Sequence, residues 1–321
     1  MLPCSRKRLN LPPIGFRKES TGSFTLGLGE DPLSLEKRLA CTAGTRPSES
    51  HESASTIHPV CGGAGSRLVA GVMLNHPWTV ETLIEGGALQ ASVSLARNDE
   101  EVVLIDSGYP RQEKQLLDAL AQHGLTARSV THVVNTHLHF DHSQNNHLFS
   151  RARIVCSRRE FEWMTDLCDR LTSDSLTLEQ IYKYYPELKS FEDDPKVVWA
   201  MVKVVQRFWS VERLGRREQF LWLEDWVSPD GMKAIHTPGH VPFHYSYSFE
   251  TRAGAVLVAG DAMVTRGDAD QNTMTFPPTR RAEYEETKKK LLGFEGTIVP
   301  GHDALFTLTA LKHEEARRAE K

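Results

Sequence analysis

The pattern of hydrophobic and polar positions changes character near residue 66. Before that point apolar residues keep no sustained period. Ser, Thr, Pro and Gly are frequent, with basic clusters at Arg6-Lys7-Arg8 and Arg17-Lys18. Such a segment has too little apolar surface to bury, so residues 1–65 are expected to be disordered. Glu30, Asp31 and Glu36 argue against a transit peptide, and no apolar signal core follows the start. From residue 66 strand patterns begin. Leu68–Leu74 is an apolar run of strand length, Thr79–Ile84 and Ala91–Ala96 alternate with a period near two, and Val102–Ile105 reads as a short buried strand ending in the turn Asp106-Ser107-Gly108. Leu116, Leu117 and Leu120 set a helical spacing over 111–123, and Val130–Val134 reads as the next strand.

Residues 158–226 read as mostly helical. Phe161, Met164, Leu167, Cys168 and Leu171 line one helix face. Asp194-Pro195 starts a further helix, with Asp as N-cap and Pro in the first turn. The segment Val197–Trp209 is apolar almost all round and is expected to be buried between other elements. Strands return at Met232–His236, Tyr245–Phe249, Ala255–Ala259 and Thr297–Val299, with a helix at about 280–292 and a charged helix at the end. Strands, a helical block, then strands again predict one α/β domain over 66–321, carrying a helical insertion at about 158–226.

Composition narrows the function classes. A chain of 321 residues can bury the core of one large α/β domain, or of two small ones. A formal net charge of −4 argues against a general nucleic-acid binder. No apolar run reaches the roughly 18–20 residues of a membrane span, so no membrane is expected. Five cysteines at irregular spacing, with no C-x-x-C, argue against a disulfide framework and for a reducing, cytoplasmic setting. Cys156 and Cys168 read as small core residues.

The strongest chemical signal is His137-x-His139-x-Asp141-His142. Imidazole nitrogen and carboxylate oxygen are ligands of zinc and similar metals. In extended backbone His137 and His139 point the same way and can share one metal. A turn after Phe140 would let Asp141 and His142 face a second. Three more strands end in a potential ligand: His240 in His236-Thr237-Pro238-Gly239-His240, Asp261 after Gly260, and His302 after Pro300-Gly301. The glycines and prolines make these turns tight. Together the segments supply five histidines and two aspartates. His123, His132, His147 and His244 read as structural or exposed.

The strings THLHFDH, HTPGH, AGDAM and PGH resemble, in order and spacing, the metallo-β-lactamase superfamily. The resemblance covers about residues 66–310 and implies an αββα sandwich with a metal site at one edge of its two sheets. It implies His137, His139 and His240 on one metal, Asp141, His142 and His302 on the other, and Asp261 bridging. It further implies a hydrolase that uses a metal-bridging hydroxide, with Asp141 accepting a hydrogen bond from the nucleophile. Two divalent ions are expected, Zn2+ first, with Fe or Mn also suited to the ligands. No G-x-S-x-G elbow suggests a serine nucleophile instead.

Within the superfamily the sequence is similar to lactonases around HLHFDH and HTPGH, although Val264 stands where several of them carry tyrosine. Val258–Asp261, Arg266–Asp268 and Val299–Phe306 resemble the metallo-β-lactamase domain-containing protein 1 group, whose members act on RNA. The expected substrate is a small-molecule ester, lactone or thioester. The alternatives are a phosphodiesterase or ribonuclease on the same metals, and a non-enzymatic metal-stabilised binding protein. The aromatics Trp163, Tyr182, Tyr184, Tyr185, Trp199, Phe208, Trp209, Trp222 and Trp226 read either as a lid over the metals or as ordinary helix packing. Arg213, Arg216 and Arg217 read either as a phosphate grip or as a solvated turn.

Overall fold

The computed structural model describes residues 14–18, 24–28, 77–87, 90–173, 176–270 and 273–311. Two compact units divide the chain, Met1–Met73 and Leu74–Lys321. In the first, β1 (Ile14–Lys18) and β2 (Phe24–Leu28) pair antiparallel with Ile14 opposite Leu28. The rest of the segment expected to be disordered, the strand expected at Leu68–Leu74 and the charged stretch from residue 312 lie outside the described residues.

The second unit holds two sheets. The first runs in the order β3 (Thr79–Ile84), β4 (Val93–Arg97), β5 (Val102–Ile105), β6 (His132–Val134), β7 (Arg153–Cys156) and β8 (Phe220–Trp222). Its β3–β4–β5 pairs are antiparallel and its β5–β6–β7–β8 pairs are parallel. Helix α1 (Glu113–Gln122) connects β5 to β6, and the short α2 (Phe140–Ser143) follows β6. Three helices follow β7: α3 (Arg158–Leu171), α4 (Leu178–Tyr184) and α5 (Pro195–Phe208). The second sheet comprises β9 (Met232–His236), β10 (Tyr245–Thr251), β11 (Gly254–Gly260), β12 (Thr297–Pro300) and β13 (Phe306–Thr307), side by side in sequence order. Helix α6 (Arg281–Leu291) makes the crossover between parallel β11 and β12.

Alternation along the strands builds the layers. Val103 and Ile105 join Val134, Tyr247, Phe249, Val258 and Val299 in the core between the sheets. Leu104 points the other way, onto Leu116 and Leu120 of α1. In the second sheet Leu257 and Ile298 turn outward onto Leu291 of α6. Successive side chains of one strand serve opposite faces, so both sheets are covered on both sides. The order helix, sheet, sheet, helix is the expected αββα sandwich. Each large side chain buried this way contributes about 1.5–3 kcal/mol.

The structure departs from the sequence pattern in three places. Phe220–Trp222, inside the stretch read as helical, is the edge strand β8 beside β7. A three-residue strand is too short to declare a period. Strand β7 itself carries no alternation that separates it from its surroundings. Helix α5 buries Val198, Ala200 and Val202 but leaves Val197, Trp199 and Met201 only half-buried, so it covers the fold rather than threading it. Its cap is as expected: the Asp194 side chain accepts from the Lys196 amide. Among the aromatics, Trp163, Tyr182, Tyr184, Tyr185, Trp199, Trp209 and Trp222 pack in the core of the helical block. Trp226 packs against the inter-sheet core. Phe208 is different, stacking on Phe140 at 6.0 Å between centroids.

Candidate metal centre

Every candidate ligand stands just beyond a strand's C-terminal end. β6 ends at Val134, and the chain runs on through residues 135–139 into the short helix α2. This segment is pinned to the second sheet: the Tyr245 amide donates to the Thr136 carbonyl, and the Tyr247 hydroxyl donates to that of Asn135. Beta strands β9, β11 and β12 deliver His240, Asp261 and His302. Gly260 permits the close approach at the end of β11, because its φ is 54° and a Cβ there would lie 2.8 Å from the Thr136 side chain.

All seven candidate side chains converge. His137, His139, His240 and Asp261 form one set, and Asp141, His142 and His302 a second, with ligand atoms in each set within 4.8 Å of one another. His139 is half-buried and the other six are buried. Asp261 lies between the sets. Its Oδ2 is 3.1 Å from His240 Nε2 and 4.0 Å from His137 Nε2. Its Oδ1 is 3.3 Å from His142 Nε2 and 3.4 Å from His302 Nε2. Asp141 Oδ2 completes the second set, 3.4 Å from His302 Nε2.

Hydrogen bonds on the far side of the rings fix which nitrogen faces inward. His142 Nδ1 donates to Asp106 Oδ2 at 2.8 Å, and His302 Nδ1 donates to the Gly87 carbonyl at 2.8 Å. The Thr136 hydroxyl gives its proton to Asp106 Oδ2 and therefore accepts from His137 Nδ1 at 3.1 Å. In the neutral form of all three rings Nε2 carries its lone pair toward the centre. His137 Nε2, His142 Nε2 and Asp261 Oδ1 are buried without a hydrogen-bond partner. Buried acceptors facing acceptors are costly unless a cation lies among them. The donor set thus fits divalent metal ions.

Electrostatics separate the two sets. Burial pushes the His137 pKa well down, lowers His139 to about 4 and lowers His240 to about 3, so these rings are neutral at neutral pH, the form a metal ligand takes. Burial also opposes charge on His142 and His302. There, however, the surrounding carboxylates prevail and the pKa rises, through Asp261 and Asp106 for His142 and through Asp261 and Asp141 for His302. Asp261, though buried, is held well below the carboxylate range by His302, His142 and His240.

The family model of the metallo-beta-lactamase superfamily matches residues 86–302, which contain all seven side chains. The chain belongs to the metallo-β-lactamase superfamily. It is similar to metallo-beta-lactamase domain-containing protein 1 of Xenopus laevis, 27% identical over 76% of this chain and 87% of that protein. It is also similar to an N-acyl homoserine lactonase of Bacillus thuringiensis subsp. kurstaki, 24% identical over 72% of this chain and 89% of that protein. The same fold occurs in a probable metal-dependent hydrolase from Staphylococcus aureus, 15% identical, with a TM-score of 0.52 over 72% of this chain and 91% of that one. With such relatives this metallo-β-lactamase-fold chain is a hydrolase, and the non-enzymatic alternative falls away.

Several residues that support the candidate centre carry no chemical signal of their own in the sequence. Asp106 stood only as a turn. It has a φ of 59° and takes the Thr136 amide, the Thr136 hydroxyl and His142 Nδ1 on its two oxygens. An aspartate directly after a short buried strand was the available signal in the sequence. His244, read as structural, has a defined task. Its Nε2 accepts from the Asp261 amide, and its Nδ1 donates to the Thr237 hydroxyl, which passes the chain through Ser246 to the Ala259 carbonyl. His123, His132 and His147 pair with Glu81, Glu101 and Glu113 away from the site. Arg213 and Arg216 bind the fold itself, through the Gln144 and Ser150 carbonyls respectively. Cys156 and Cys168 are free, buried thiols. Among the described residues no helix is long and apolar enough to cross a membrane.

Proposed function

We propose that this chain hydrolyses a small-molecule ester, lactone or thioester at a centre of two divalent metal ions, with zinc as the first choice. The observation that carries the reading is the division of Asp261: one oxygen faces His137 and His240, and the other faces His142 and His302. A carboxylate so placed would bridge two ions, held by His137, His139 and His240 on one side and by Asp141, His142 and His302 on the other. When bound, the ions would supply Lewis acidity, lowering the pKa of a water and polarising the bond under attack.

The remaining work falls to the chain. Asp141, whose carboxylate lies beside His302, would accept a hydrogen bond from the attacking water. Asp106 would hold His142, and the Gly87 carbonyl would hold His302, in the tautomer that keeps Nε2 inward. Substrate shape favours an apolar group. Phe140, next to His139, stacks on Phe208, Tyr109 meets Phe208 edge-on at 6.3 Å, and Phe276 lies 6.0 Å from His302. Of these half-buried rings, Phe140 and Phe276 stand next to His139 and His302. The lactonase relative supports a cyclic ester as substrate. Arg266, which follows β11 and Asp261, is held in a fork by Asp303 at 3.0 Å, and this removes one cation that a phosphodiester would use.

The test is metal analysis of protein purified with zinc, iron or manganese, followed by a panel of lactones, thioesters and phosphodiesters. Near two metals per chain and turnover of lactone or thioester are expected. Far less than one metal per chain, or cleavage of the phosphodiester alone, would reject the reading.

A further inference from the structure

Leu138 stands between His137 and His139, and both polar groups of its backbone are held by the helical block. Its amide donates to Glu160 Oε1 of α3 at 3.3 Å, and its carbonyl accepts from Trp209 Nε1, just beyond α5, at 2.9 Å. Its side chain is fully buried in the core of that block. Three independent attachments therefore converge on the one residue that sets the spacing of two candidate ligands.

Glu160 is unusual in this role. Ser157-x-x-Glu160 is the pattern of a capping box, in which the glutamate would bond back to the Ser157 amide. Ser157 performs its half, accepting from the Glu160 amide at 3.3 Å. The Glu160 carboxyl leaves the helix end and reaches Leu138 instead. It is 1% exposed, its Oε2 has no hydrogen-bond partner, and burial raises its pKa to about 8. The Phe243 backbone amide also faces it and favours the charged form. Phe243 lies in the turn that follows His240, so the carboxyl lies between two ligand-bearing segments. For packing alone an apolar side chain would serve the fold better than a buried carboxyl with an orphaned oxygen.

We propose that Glu160 and Trp209 are positioning residues, a clamp by which the helical block holds the His137-Leu138-His139 backbone in the geometry that binds the first metal. The clamp rests on the proposed metal centre and assigns the helical block a function there. It acts through the backbone of Leu138 and touches neither metal nor substrate. Outer groups that orient ligands typically change metal affinity or activity by about 10–100-fold.

The experiment is zinc titration of the metal-stripped full-length protein, wild type beside Glu160→Met, Glu160→Gln and Trp209→Phe, with thermal unfolding and circular dichroism of each. Met keeps the volume and removes the acceptor, Gln keeps an acceptor, and Phe keeps a ring and removes the indole N–H. Glu160→Met and Trp209→Phe are expected to lose about ten-fold in zinc affinity at the tighter site, Glu160→Gln to stay within about two-fold of wild type, and Glu160→Met to unfold at no lower temperature than wild type. Wild-type affinity in a folded Glu160→Met or Trp209→Phe protein overturns the clamp. So does equal loss in Glu160→Gln and Glu160→Met. Failure of the wild type to bind zinc, iron or manganese rejects the metal centre itself, an outcome distinct from failure of the clamp.

Discussion

A Cβ on residue 301 would lie 1.9 Å from Asp261 Oδ1. Gly301 leaves the space that the central carboxylate occupies, and it does so from the strand end that also carries His302. The neighbouring backbone is tied down: the Gly301 amide donates to the Met263 carbonyl and the His302 amide to that of Val264. Asp261 rather than the backbone would have to move. Gly301→Ala is therefore expected to displace Asp261 Oδ1 from His142 and His302. The variant should fold but retain markedly less metal than wild type and lose nearly all turnover. Metal content beside circular dichroism checks this, and a fully metallated, active Gly301→Ala protein would contradict it.

Asp106 combines a left-handed backbone with three hydrogen bonds, and two substitutions separate these contributions. Asn tolerates the backbone conformation and keeps part of the hydrogen bonding, but loses the charge that holds His142. Asp106→Asn should lower metal affinity or activity by about 10–100-fold with little effect on folding. Asp106→Ala should add a backbone cost of about 1–2 kcal/mol. Urea unfolding of the metal-free proteins, compared with metal titration, distinguishes the two.

The two ligand sets should lose metal at different pH. A proton competes with a metal for the inward nitrogen. His142 and His302 have pKa values raised above 6.5, whereas His139 lies at about 4 and His240 at about 3. As pH falls, His142 and His302 therefore take up protons while the first set is still neutral. Metal bound by Asp141, His142 and His302 should leave first. Metal content after equilibration across mildly acidic pH should fall in two steps, and a His302→Ala variant should show only the lower one. Loss of both metals in one step would contradict this order.

Glu160 makes a separate contribution to the pH dependence of stability. Unfolded, its carboxyl ionises near 4.5; in the folded protein burial raises this to about 8. Between those values the unfolded chain has released a proton that the folded chain keeps. Stability from this group therefore falls as pH rises from about 4.5 to about 8. Glu160→Met removes the titration. In metal-free protein its melting temperature, relative to wild type, should rise across that window. A constant difference would show that Glu160 does not carry the proton in the fold.

Sequence alone carried the local parts of this architecture. Strand alternation in β3 and β4 was legible because side chains of a half-buried strand must alternate, and β5 was legible as a short apolar run. The seven candidate ligands were legible because each stands after a strand, four of them in one short motif and three beside tight glycine turns. The three-residue strand β8 had too few positions to show a period. Tertiary structure decided what local pattern does not contain. Which Asp261 oxygen faces which histidines depends on how two sheets meet. Asp106 acquires its role from His142, 36 residues away, and Glu160 acquires its role from Leu138, 22 residues away. The physical reason is common to both: a carboxylate's chemistry belongs to whatever donor the fold brings within about 3 Å, and that neighbour is set by packing rather than by adjacency in the chain.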